Sequence, residues 1–160
     1  MNKTNAARIL DSEGISYELL SYEVDESDLS AAAVAGKLNQ NPDQVFKTLV
    51  LRGDKSGVFV CIIPGGEEVD LKKAALLSGN KSATMVPMKE IHDLTGYIRG
   101  GCSPVGMKKN YPAFIDETCI LFDFIFVSAG LRGLQFRISP DDLIKVTSCK
   151  TGDLLLFRNH

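Results

Sequence analysis

Three places in the sequence carry residue types that a plain hydrophobic core does not require. The first is Lys47, inside the run VFKTLVL at 45–51, where β-branched and apolar residues predict a strand. Alternation puts Lys47 on the same face as Val45 and Leu49. An ammonium there either runs its stem along apolar surface into water or points into a cleft. In a cleft it would stabilise negative charge on a carbonyl or phosphate oxygen. The second place is Gly100-Gly101-Cys102-Ser103-Pro104-Val105-Gly106. Adjacent glycines let backbone N–H groups approach a ligand closely, and such a loop can build an oxyanion hole; a tight structural turn needs the same residues. The third is Ser128, which closes the apolar run 124–127 and opens a loop containing Gly130 and Gly133. Its hydroxyl can bond a substrate or its own turn. Tyr22, at the end of a predicted strand, is either a rim aromatic or a pocket wall with a polar tip.

Several chemistries lack their signatures. Cys102 could be a nucleophile only with a base beside it, and the sequence places neither His92 nor His160 there. The phosphate-binding GxxxxGK[ST] and GxGxxG motifs and the GxSxG elbow are all absent. The four cysteines are scattered without a CxxC pair and there are only two histidines, so no metal cluster is spelled out. The first fourteen residues are polar and charged, which predicts neither a signal peptide nor a membrane span and gives a cytoplasmic expectation.

The elements that must position these residues fit one domain over 1–160. At 160 residues and 44% hydrophobic, the chain can bury a core without disulfides or metals. Helices are predicted over 6–12, 31–38 after the N-cap Ser30, 71–77 after Asp70, 88–94, and 140–146 after Ser139. Strands are predicted over 15–22, 44–51, 58–63, 82–86, 113–115, 120–127 and 134–138. The glycine- and proline-rich stretch 96–112 reads as a long shaped loop, the kind that carries function. Short turns between adjacent strands require a largely antiparallel or mixed sheet, an α+β fold with flanking helices.

Charge is unevenly spread. Residues 1–43 hold three basic and eight acidic side chains, whereas the rest hold fifteen and twelve. A net charge of −2 excludes coating of nucleic acid by bulk electrostatics, and DNA is not an expected partner. Any polyanion should meet the later part, with Lys72, Lys73, Lys81, Arg99, Lys108, Lys109, Arg132 and Arg137 as candidate phosphate contacts; an ordinary solvated surface is the alternative.

VFKTLV at 45–50, GYIRGGCSPVGMKK at 96–109 and IFVSAGLRGL at 125–134 together resemble the YbaK family of Cys-tRNA(Pro) deacylases. These are relatives of the editing insertion domain of bacterial prolyl-tRNA synthetase. Within the resemblance Lys47 matches the essential lysine and Gly100–Pro104 the GxxxP loop, so Gly101 falls among its amide donors. Cys102 and Ser103 lie in the same loop, and Tyr22 and Ser128 match pocket residues. DLKKAALLSG at 70–79 resembles the family's basic helix. Where the family carries an aspartate after the RGL segment, this chain has Gln135.

The resemblance implies a partly closed sheet holding the aminoacyl end of mischarged tRNA between the lysine strand and the glycine loop, without metal or cofactor. It implies prolyl-tRNA synthetase as the partner that supplies tRNA selectivity. It also implies a substrate-assisted release in which the cysteine thiol attacks its own carbonyl. An Ala-tRNA(Pro) deacylase, and a non-catalytic module binding aminoacyl-tRNA or a synthetase, are the alternatives. A small-molecule esterase lacks the nucleophile–histidine pairing it would need.

Overall fold

A computed structural model describes residues 3–157, so His160 lies outside the described residues. The chain opens with α1 (Asn5–Ser12), capped by the Thr4 hydroxyl, which accepts from the Ala7 amide. The following β1 (Glu18–Ser21) is shorter than the predicted 15–22 strand. Helix α2 (Ala31–Leu38) starts at Ser30 as expected and ends at Asn39 in the left-handed region, φ 57°. A short 3-10 turn over Pro42–Gln44 leads into the hairpin of β2 (Phe46–Gly53) and β3 (Gly57–Pro64).

The Asp70 carboxylate accepts from the amides of Lys72 and Lys73 to start α3 (Leu71–Ser78), which stops at Gly79, φ 80°. Next come β4 (Ala83–Met85) and α4 (Met88–Thr95). After the irregular 96–112 segment lie β5 (Ala113–Asp116), β6 (Ile125–Ser128), β7 (Leu134–Ile138), α5 (Pro140–Thr147) and β8 (Lys150–Gly152).

The fold is mixed α+β, with its strands in two sheets that do not close into a barrel. One runs β1-β7-β6 and is antiparallel; the other runs β4-β2-β3-β5-β8, antiparallel at β4-β2-β3 and parallel at β3-β5-β8. A single parallel bridge, Val45 to Phe126, joins them. The largest core lies between the sheets, where Phe46, Val60 and Ile62 meet Ile125, Val127, Phe136 and α1. Leu51, Phe59, Cys61 and Ile63 on the opposite face of the hairpin are covered by Ala74 and Ala75 of α3. Helix α2 seals the junction, packing Val34 and Ala35 on Val45 and Phe126.

Two sequence expectations change. Residues 117–121 form a 3-10 turn with Ile120 and Leu121 exposed, so the predicted 120–127 strand begins only at Ile125. The Asp116 carboxylate holds that turn, accepting from the Thr118 amide and hydroxyl, and accepts from Leu154 as well. Strand β8, three residues paired to β5, adds to the strands predicted from the sequence. Among the described residues, no helix is long and apolar enough to cross a membrane.

Candidate active site

Strand β2 supplies the floor of the site because one of its edges is left open. All eight residues pair with β3, but on the other side β4 pairs only with Leu51–Gly53. That edge continues one residue further through the Val86 amide donating to the Val50 carbonyl, and resumes at the Val45–Phe126 bridge. Between those points the strand borders a cleft of about 690 Å³, a size suited to a small ligand. Residues 45–50 line it, together with the 27–31 segment, an apolar wall that includes Met85, Met88 and Ile91, and the glycine loop.

Lys47 enters this cleft half-buried. Burial pushes its pKa below the ordinary lysine value, while the carboxylates of Glu68 and Glu67 oppose that shift. It makes no salt bridge or hydrogen bond among the described residues. Its ammonium is therefore available to an anionic or carbonyl ligand.

Gly100 and Cys102 line the same cavity as Lys47. Gly100 needs its lack of a Cβ twice: its φ is +83°, and a Cβ would lie 3.2 Å from Arg132 Nε. Among the described residues the amides of Gly100 and Cys102 donate to nothing. Gly101 differs from the expectation that it supplies an oxyanion donor. Its N–H is spent on the Ile98 carbonyl at 2.9 Å, and the residue is buried against the 131–132 backbone, where a Cβ would come within 3.1 Å of Arg132 N. Ser103 and Pro104 do not line the cleft either. Ser103 is fully buried and its hydroxyl accepts from the Val105 amide at 3.2 Å, so it shapes the loop from behind.

Arg132 fixes this loop in place. Its Nε donates to the Arg99 carbonyl at 2.7 Å and its NH1 to Glu26 Oε2 at 2.6 Å, tying the glycine loop to the acidic segment that precedes α2. That use, with the Lys73–Asp153 and Arg137–Glu18 pairs, removes three of the proposed phosphate contacts. Arg99, exposed at the cleft, forms no such pair among the described residues.

Ser128 and Gln135 face each other in register across β6 and β7, and both line the cleft with Tyr22. The Ser128 hydroxyl accepts from the Gly130 amide at 3.1 Å, which leaves its proton free to donate. Cys102 is an unsuitable nucleophile: burial pushes its thiol up to about 11, against a hydrogen bond with Thr95. At neutral pH the thiolate fraction is then about one in ten thousand. His92 sits exposed on α4, outside the cleft lining. Thr48, which sequence reasoning passed over, also lines the site; its only signal is its position beside Lys47. Among the described residues no cluster of His, Cys, Asp or Glu could hold a metal ion.

The fold and cleft place the protein in a known class. The aminoacyl-tRNA editing domain family matches residues 26–146, and the chain belongs to that family, whose members act on mischarged tRNA. It is 43% identical over 146 residues to an Enterococcus faecalis protein named "Putative Cys-tRNA(Pro)/Cys-tRNA(Cys) deacylase EbsC", covering 91% of this chain and 89% of that one. A solved structure described as "a putative trans-editing enzyme for prolyl tRNA synthetase" superposes with a TM-score of 0.81 at 26% identity, covering 98% of this chain and 100% of the other. The hypothetical protein APE2540 shares the fold, with a TM-score of 0.86 at 22% identity over 94% and 99% of the two chains.

Proposed function

We propose that this chain is a trans-acting deacylase that frees cysteine from mischarged Cys-tRNA(Pro). The observation that carries the reading is one cavity lined by an unpaired, half-buried lysine and by two loop residues whose amides have no internal partner. An aminoacyl ester is already activated, so the catalyst has only to orient it and to stabilise the oxyanion formed on attack. In this reading the amides of Gly100 and Cys102 take the carbonyl oxygen. Lys47 steadies the terminal ribose or phosphate, and Ser128 and Tyr22 orient the amino acid.

The attacking group is the substrate's own thiol. Its sulfur bonds to the carbonyl carbon, the bond from that carbon to the ribose oxygen breaks, and the thiol proton ends on the ribose oxygen. A thiolactone leaves and the tRNA keeps a free hydroxyl. The protonated state of Cys102 fits this route, since no protein nucleophile is then required. The sequence similarity to EbsC favours cysteine as the amino acid. Prolyl-tRNA synthetase, named in the structural relative, is the partner that would hold the tRNA body.

The test is release of amino acid from tRNA(Pro) charged with cysteine, alanine or proline. Cysteine should be released fastest and proline spared. Preferential release of alanine would transfer the substrate to the Ala-tRNA(Pro) reading. Tight binding of all three without release would make the protein a binding module.

A further inference from the structure

Two residues that line the cleft each carry a buried polar atom with no hydrogen-bond partner among the described residues: Gln135 Oε1 and Thr48 Oγ1. Gln135 is 5% exposed, and among the described residues its side-chain amide makes no hydrogen bond to protein. Thr48 adds a second deficit. It shares the parity of Val50, whose carbonyl faces the open edge of β2, so its own N–H and C=O also face that unpaired edge. Buried polar groups without partners are rare in folded chains because each costs free energy. Two of them lining one cavity mark the positions where a ligand supplies the missing bonds.

We propose that Gln135 reads the α-amino group of the aminoacyl ester, an inference that rests on the deacylase reading above. An aminoacyl ester offers carbonyl and ester oxygens as acceptors. The α-amino group is the donor that nearly every amino acid shares, and it is what an amide carbonyl oxygen requires. Thr48 projects from the face of β2 opposite to Lys47, whereas Gln135 stands beside Ser128 and Tyr22 at the amino-acid end of the cleft. Asp28 is the only carboxylate lining the cleft among the described residues. Because Gln135 is neutral, it accepts from an ammonium and, more weakly, from a free amine, so recognition weakens but persists as an α-amino group titrates near pH ~8. A carboxylate at this position would favour the ammonium alone.

The experiment uses two stable amide probes: cysteine joined through an amide to 3′-amino-3′-deoxyadenosine, and its counterpart lacking the α-amino group. Binding is measured calorimetrically at pH 6 and pH 8.5 for the wild type, Gln135→Met and Thr48→Val, with thermal melting of each. The wild type should prefer the amino-bearing probe by about 10- to 100-fold at both pH values. Gln135→Met should lower that preference to about 2-fold, whereas Thr48→Val, the control at the other unpaired cleft residue, should leave the preference unchanged. Both variants should melt at or above the wild-type temperature, since each loses an unsatisfied buried group.

A wild-type preference retained in Gln135→Met, or a preference in the wild type that vanishes at pH 8.5, overturns the proposal. So does affinity lost together with melting temperature, which is the mark of a merely structural role. Release of cysteine from Cys-tRNA(Pro) by the same wild-type preparation is measured in parallel, so failure of the deacylase reading is seen separately.

Discussion

Replacing Lys47 with methionine keeps the apolar stem and removes the charge, and the two consequences should run in opposite directions. Half-burial lowers the lysine pKa, so the folded chain holds this proton less readily than the unfolded chain does. The resulting cost to stability is fully present below the folded pKa and disappears as pH rises to the ordinary lysine value near ~10.4. Lys47→Met should therefore be at least as stable as the wild type at pH 7, with an advantage that narrows toward pH 10. Lys47 is only part-buried, so the effect is small. Activity should behave otherwise. Without the ammonium that steadies the ribose or phosphate the ester is misplaced, so kcat/KM should fall about 100-fold, roughly 2.7 kcal/mol of transition-state stabilisation. Timed release of cysteine from Cys-tRNA(Pro), beside melting curves at pH 7 and 10, measures both. A folded variant with wild-type turnover would refute the role, and a parallel loss of stability and activity would make Lys47 a scaffold residue.

Cys102→Ala should keep kcat within about 3-fold of wild type, since its thiol is protonated at neutral pH; a loss above 100-fold in the deacylation assay would reinstate it as a nucleophile. Gly101→Ala should be destabilising by about 1–3 kcal/mol and impair turnover, because the new Cβ would sit 3.1 Å from Arg132 N and 3.2 Å from the Leu131 carbonyl carbon, both backbone atoms; denaturant midpoints and kcat check it. Arg132→Ala should lower kcat about 10-fold by freeing the Arg99 carbonyl from its anchor. Glu26→Ala should change kcat less than 2-fold, since Glu26 is largely exposed and surface ion pairs contribute little.

The parts of the fold legible in the sequence were those with local causes. Ser30, Asp70 and Ser139 announce helix starts because their side chains satisfy amides two or three residues ahead, and the β2–β3 hairpin follows from apolar runs around a polar turn. What escaped depends on partners distant in sequence. Ile120 and Leu121 read as strand residues, yet the turn capped by Asp116 leaves them exposed. In the candidate site, Lys47, the glycine loop, Tyr22 and Ser128 could be named from residue type, and Gln135 only through the family resemblance. Which loop amides remain free could not, because the Gly101 N–H is consumed by Ile98 only once the turn has formed. Nor could Thr48, whose unpaired edge exists because β4 stops at Leu51.

The most direct measurement is a crystal structure with the stable cysteinyl-amide of 3′-amino-3′-deoxyadenosine in the cleft. The probe's carbonyl oxygen should lie about 2.7–3.1 Å from the amides of Gly100 and Cys102, with the Lys47 ammonium directed at its ribose. A carbonyl turned toward the apolar wall, with Lys47 facing away from the probe, would contradict the mechanism.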